Sequence, residues 1–203
     1  SGEVTVSGSK NSALPILASC LLTQGTNIIQ GLPNLSDINI MYEILSSLGA
    51  QINIGKKETA VNCETIISCT TPYELVNKMR GSFLLAGALL ARYSCARICM
   101  PGGCPIGSRP VDLHLKGFAA MGADISQGYG YIDLSAKKLH GAKIYLDFPS
   151  VGATENLIMA ASLADGETII ENAAAEPEIE DLAHFLTKRG AIISGAGSDT
   201  VHI

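Results

Sequence analysis

The chain has no low-complexity tract and no apolar run approaching the ~18 residues that a membrane span requires. Only 16% of its 203 residues are charged and 47% are hydrophobic, the balance of a soluble globular protein with a sizeable core. It also lacks a basic excess. The formal net charge is −5 and the lysines and arginines are scattered, which leaves no electrostatic footprint for a nucleic acid. A charged, apolar and small-residue leader is missing from the first residues, so secretion is not expected. The six cysteines, at 20, 63, 69, 95, 99 and 104, contain no C-x2-C pair. Cys95, Cys99, Cys104 and His114 have a spacing that invites a metal reading, but Cys95 to Met100 reads as a strand, and no metal is expected. Free thiols in a cytoplasmic protein follow.

What the chain does have is a threefold repeat. Each copy runs from an apolar, Ala-rich helix through a short strand to an amphipathic helix that ends in Gly-Ala, and then into a further strand. The copies span Ala13 to Ile52, Ser82 to Ile125 and Asn156 to Ile193. Their Gly-Ala steps at Gly49, Gly122 and Gly190 lie 73 and 68 residues apart, an even spacing that indicates repeated packing around a pseudo-threefold centre. The first helix of a copy is apolar on nearly all sides, as in Ser82 to Ala91, and must be buried. The second has a 3.6-residue period, as in Ile179, Leu182, Ala183 and Leu186, and belongs at the surface. The expected fold is α/β, with three inner helices, three outer helices and sheets facing solvent, in one domain with repeats at about 2–55, 56–128 and 129–203. Asn11 or Ser12 is expected to cap the first helix, with Pro15 in its first turn, and Ser36 or Asp37 to start the second. SGEVTVSG reads as a strand, and residues 56–75 and 129–150 as hairpin strands.

Between the second inner and outer helices lies MPGGCPIGSRPVD, Met100 to Asp112, whose three glycines and three prolines resist helix and strand alike. Cys104 and Arg109 in it are open to two readings. Either a thiol eased toward thiolate by a nearby cation works on an anion held by a guanidinium fork, or they are a small turn residue and a surface charge. Lys10 and Asn11 stand at a strand-to-helix junction, where they suit an anion site or a plain cap. GSKNS lacks the glycine spacing of a nucleotide-hydrolase phosphate loop. Arg80 precedes a buried helix and is either an anion contact or the last exposed residue before burial. In PSVGATEN, Ser150, Gly152 and Thr154 offer hydroxyls and bare backbone to a pyrophosphate, and also make a good capping sequence. Glu176, Glu178, Glu180 and Asp181 form an acidic helix start that suits the helix dipole.

PGGCPIGSRPVDLH, GSKN at 8–11 and PSVGATEN at 149–156 closely resemble motifs of the UDP-N-acetylglucosamine enolpyruvyltransferase family. The resemblance runs from Gly2 to Ile203. It implies an inside-out α/β barrel domain of the EPSP synthase-like type and transfer of the enolpyruvyl group of phosphoenolpyruvate to the 3′-hydroxyl of UDP-N-acetylglucosamine, the first committed step of peptidoglycan synthesis. It implies Cys104 as the general acid and the point of fosfomycin attack, and Lys10 and Arg109 on phosphoenolpyruvate. It further implies Asn11, Arg80, Arg109, Pro110, Val111, Asp112, Leu113, Ser150 and Val151 on the nucleotide sugar, with no metal or organic cofactor. Some members have a lysine where this chain has Phe148, which leaves one pyrophosphate contact missing or supplied elsewhere. Members are about twice this long, so a second, closing domain with an aspartate base and further arginines is expected to be largely absent from these residues. The rival expectations are the sister enolpyruvyltransferase acting on shikimate 3-phosphate, and a noncatalytic thiol-bearing repeat scaffold or redox sensor.

Overall fold

Apolar helices without a polar face have one physical solution, which is to pack on each other, and the chain is arranged accordingly. The computed structural model describes residues 2–4, 6–100 and 111–203, with the backbone but not the side chain of Arg80. The first copy contains α1 (Lys10–Ser19), β1 (Thr26–Gln30), α2 (Ser36–Leu48), β2 (Gln51–Ile54) and β3 (Glu58–Asn62). After a short α3 (Tyr73–Val76), the second contains a 3-10 turn (Arg80–Leu84), α4 (Leu85–Tyr93), β4 (Cys95–Cys99), α5 (Asp112–Ala120), β5 (Asp124–Gly128) and β6 (Tyr131–Ser135). The third contains β7 (Lys143–Tyr145), α6 (Val151–Ala161), β8 (Ile169–Glu171), α7 (Pro177–Thr187) and β9 (Thr200–His202).

The inner helices α1, α4 and α6 touch one another, and their buried residues form one hydrophobic cluster with those of all three copies. They run parallel. Near the starts of α1 and α4, a Cβ on Gly81 would meet the Leu14 side chain. The middle of α6 reaches the start of α4 through Asn156, which donates from Nδ2 to the Phe83 carbonyl at 2.8 Å. Early in α6, the Thr154 hydroxyl accepts from the Ala174 amide just ahead of α7, whose Glu178 meets Asn11 of α1. Near the other ends of α1 and α4, Arg92 donates from Nη1 to the carbonyls of Leu21 and Thr23 at 2.7 and 2.6 Å. The outer helices α2, α5 and α7 bury one stripe each, Ile179, Leu182, Ala183 and Leu186 in the case of α7.

Three three-stranded sheets, ordered β1-β3-β2, β4-β6-β5 and β7-β8-β9, each turn one face inward. Ile98 pairs with Ile132, and Ile144 with Ile170, while alternate residues face out. All three Gly-Ala steps close their helices identically. Gly49, Gly122 and Gly190 take φ of 113°, 90° and 100°, and the following alanine amides donate back to Leu45, Phe118 and Leu186. This is the left-handed C-terminal stop that glycine adopts without a Cβ clash.

Five local expectations need correction. The cap of α1 is Ser9, whose Oγ accepts from the Ser12 amide at 3.4 Å, so Asn11 and Ser12 are already helical. Pro15 therefore sits in the second turn and leaves the Asn11 carbonyl without its intrahelical donor. No strand is formed by the described residues of SGEVTVSG. Val4 and Val6 alternate correctly but are 86% and 88% exposed, because no described strand lies beside them. β7 is not half of a hairpin but pairs parallel with β8. The strand expected after Gly190 shrinks to one bridge, Ser194 to His202.

α4 and α6 come so close that a Cβ on Gly87 would collide with the Asn156 carbonyl oxygen. Gly87→Ala should therefore lower the unfolding free energy by about 1–3 kcal/mol. Gly128→Ala, where a Cβ meets nothing within 4 Å, should leave it nearly unchanged in the same denaturant titration.

Candidate active site

Parallel inner helices gather their N-termini at one end, and three side-chain contacts bring the outer helix starts there too. Lys10 Nζ meets Asp37 Oδ2 at 2.9 Å, joining the heads of α1 and α2. Asn11 donates from Nδ2 to Glu178 Oε1 at 3.2 Å, joining α1 to α7. His114 Nδ1 lies 3.0 Å from Asn156 Nδ2, joining the first turn of α5 to α6. The first amides of α1, α2, α5, α6 and α7 thus share one end of the domain, and their summed dipoles favour anions there. On this rim stand Lys10 and Asn11, the backbone of Arg80, and the first residues of α5 and α6.

Residues 1–203, the whole chain, match the family described as EPSP synthase (3-phosphoshikimate 1-carboxyvinyltransferase). The chain belongs to the EPSP synthase family. It is 56% identical over its full length to UDP-N-acetylglucosamine 1-carboxyvinyltransferase 1 of Caldanaerobacter subterraneus subsp. tengcongensis, of which it covers 48%. It is also 56% identical over its full length to UDP-N-acetylglucosamine 1-carboxyvinyltransferase 2 of Carboxydothermus hydrogenoformans, again covering 48%. The chain spans about half the length of these curated relatives. Among solved structures, the enolpyruvyl transferase NikO from Streptomyces tendae superposes on all of this chain with a TM-score of 0.86, at 24% identity and 48% coverage of that protein. EPSP synthase from Acinetobacter baumannii superposes on all of it at 0.77, with 20% identity and 46% coverage. The two share the enolpyruvyl transferase fold with this α/β chain.

Within this EPSP synthase-family domain the candidate residues fall into two groups. Cys104, Arg109 and Pro110 lie outside the described residues, as does the side chain of Arg80. The others are at the shared helix ends. Lys10 is half exposed and Asn11 exposed in the first turn of α1. Asp112 is exposed as the first residue of α5, next to Val111. Ser150 caps α6, its Oγ accepting from the Ala153 amide at 3.4 Å, and Val151 opens that helix.

Asp112 does not cap α5. Val111 holds the cap position, and among the described residues no side chain caps this helix start. Leu113 points into the core at 7% exposure, so only its backbone is available to a ligand. Thr154 is withdrawn from any pyrophosphate, because its hydroxyl is buried and accepts from the Ala174 amide at 3.1 Å. Among the described residues no three His, Cys, Asp or Glu side chains converge as metal ligands, and no helix is long and apolar enough to cross a membrane.

Motif reading missed three residues at this end. Phe148 is 54% exposed, and beside it Lys116 of α5 reaches over to Asp147 Oδ1 at 2.8 Å, bringing a cation where the sequence position has none. Glu155 is buried on α6 within reach of Glu178 and Glu176. Burial first, and those two carboxylates next, push its pKa up to about 8. His114 stacks edge-on against Phe83 at 5.0 Å, and burial pushes its pKa down to about 4. Glu155 and His114 lie inside the PSVGATEN and PGGCPIGSRPVDLH motifs and Lys116 just past the second, but only placement in space shows what each of them meets.

Asn156 Nδ2 carries two protons, and the Phe83 carbonyl takes one and His114 Nδ1 the other, so this nitrogen of His114 must be bare. Because the folded pKa lies below the ordinary value of 6.5, His114 contributes its full stability above that value and loses it as pH falls through about 4. The unfolding free energy should drop by up to about 3 kcal/mol over this window. His114→Gln, which accepts from Asn156 through an uncharged oxygen, should lose that part of the slope in denaturant titrations across the same pH values.

Proposed function

We propose that this chain is the nucleotide-sugar-binding half of a cytoplasmic UDP-N-acetylglucosamine enolpyruvyltransferase. It is built as one inside-out α/β barrel domain of three βα units, at about 2–55, 56–128 and 129–203. The observation that carries this reading is the convergence of five helix starts on Lys10, Asn11, Asp112 and Ser150, in a chain 56% identical to proteins named for that reaction. The product would feed peptidoglycan synthesis, and through it cell shape and division.

In the proposed reaction the sugar 3′-hydroxyl attacks C2 of phosphoenolpyruvate while C3 takes a proton. The tetrahedral adduct then loses phosphate and the added proton, leaving the enolpyruvyl ether. Lys10 and Arg109 neutralise the phosphate and carboxylate, which otherwise repel the attacking oxygen. Lys10 needs only to exchange an exposed aspartate for the ligand, and an exposed ion pair of this kind holds by ~0–1 kcal/mol. Cys104 supplies the proton to C3, and as thiolate it is the nucleophile that an epoxide such as fosfomycin would alkylate. Arg80, Asn11, Asp112, Ser150 and the backbone of Pro110, Val111, Leu113 and Val151 hold the nucleotide sugar. Lys116 takes over the pyrophosphate contact that Phe148 cannot make. A second domain supplies the base and closes over the first. It accounts for the other half of the relatives' length.

Two measurements test this. In calorimetry, the full-length protein carrying this chain should bind UDP-N-acetylglucosamine and not shikimate 3-phosphate, and the opposite preference would assign it to the sister reaction. With both substrates, phosphate release should fall by about 100-fold or more in Cys104→Ala, and activity retained at neutral pH would remove Cys104 as the acid. These 203 residues alone should not turn over.

A further inference from the structure

Of the described thiols, Cys20, Cys63 and Cys99 are buried, whereas Cys69 and Cys95 are partly exposed. The chemistry proposed above uses neither of the exposed pair. They belong to segments that the fold brings side by side. Cys95 is the first residue of β4, and Cys69 lies in the strap, residues 63–72, that crosses from the first copy to the second. Thr70 bridges to Arg97 in parallel, with the Arg97 amide donating to the Cys69 carbonyl at 2.8 Å and the Thr71 amide to the Arg97 carbonyl at 2.9 Å. This is the second copy's counterpart of the parallel β7–β8 pair, on the edge of β4 that β6 leaves free.

With Thr70 opposite Arg97, Cys69 stands opposite Ala96, one residue along from Cys95. Neighbouring strands lie ~4.8 Å apart and rise ~3.3 Å per residue, which puts the two Cα atoms about 6 Å apart. A disulfide takes Cα separations of roughly 4.4–6.8 Å. Cys69 occupies a bend, where the strict alternation of a strand is not imposed, and its thiol is within hydrogen-bonding reach of the Cys95 thiol. The pair sits where α4 ends and β4 begins, at the opposite end of the domain from the gathered helix starts.

We propose that Cys69 and Cys95 are a modification site, a reversible dithiol that a low-molecular-weight disulfide oxidises to a cross-strand disulfide, stapling the strap to β4. Burial first, and the hydrogen bond to Cys95 next, push the Cys69 pKa up to about 12, so Cys69 holds its proton and Cys95 reacts first. The Cys95 sulfur, its proton passed to solvent, attacks one sulfur of the small disulfide, whose S–S bond breaks and releases one small thiol. Cys69 then gives up its proton and displaces the second small thiol from Cys95. Two protein thiols are oxidised, and one small disulfide is reduced to two thiols. In a reducing compartment the pair stays open, and it closes when small disulfides accumulate. A tie matters at this place, because one bridge holds the strap to β4 where three residue pairs hold β7 to β8.

The test uses the full-length protein carrying this chain, folded and reduced, then exposed to oxidised glutathione. After free thiols are blocked and the protein is digested with trypsin, mass spectrometry should find peptide 93–97 joined to peptide 58–78, and dithiothreitol should separate them. Peptide 58–78 also holds Cys63, so Cys63→Ser should keep the link. Cys69→Ser should lose it and leave glutathione on Cys95, the first step trapped. In the wild type, hydrogen exchange at the Thr71 and Arg97 amides, which carry the bridge, should slow by about tenfold or more on oxidation. A wild-type Cys95 that stays unmodified, keeps its glutathione or links to Cys63 overturns the pairing. The expected link with unchanged exchange at the two amides overturns the staple. Neither measurement depends on which substrate the enzyme takes.

Discussion

Everything in this domain follows from packing three apolar helices against each other in parallel. Helices with no polar face cannot meet water, and side by side they bury their surfaces at ~25 cal/mol for each Å² removed. The approach has to be close, and Gly87 allows it by putting no Cβ against the Asn156 carbonyl. Running parallel has a consequence that antiparallel packing would cancel. The dipoles add instead of opposing, and the amides left without intrahelical partners collect at one end. The amphipathic outer helices also start at that end, so the anion-favouring rim is a by-product of how the core is assembled.

A rim of that sign would repel cations and leave anions unselected, and the acidic side chains around it change this. Asp37 and Glu178 sit in the first turns of α2 and α7, where the dipoles stabilise them, and each engages a residue of the first turn of α1. Lys10 and Asn11 are thereby held by contacts within the domain itself. A chain of net charge −5 can in this way carry an anion site, because the local arrangement of dipoles and lysines outweighs the total.

The parts of this that can be read from sequence are those fixed by neighbours in the chain. The Gly-Ala steps announce their left-handed helix ends, because φ near 100° is open to glycine and costly for anything else. The apolar and amphipathic helices differ in period, and period is local. The parts that were not legible depend on contacts between distant positions. Thr154 looks like a ligand hydroxyl until the chain returns at Ala174, 20 residues later, and takes it. Val4 and Val6 have a strand's alternation, but a strand needs a partner, and no described strand supplies one. Ser9 and Asn11 are both good caps by type, and the choice between them rests on which one takes extended angles.

Asn156 shows why such contacts matter more than their number suggests. Its oxygen accepts from the Gly87 amide at 2.7 Å, and its nitrogen gives one proton to Phe83 and the other to His114. One side chain therefore satisfies backbone groups at the junction of the 3-10 turn and α4, where the change of helix type interrupts the regular ladder. Sliding α6 along α4 by one residue would leave those groups buried and unpaired, at ~1–3 kcal/mol each. Apolar packing alone is tolerant of such slips, since one leucine face resembles the next. The amide removes that tolerance, and with it fixes the height at which Ser150, Glu155 and the head of α6 meet the other helix starts.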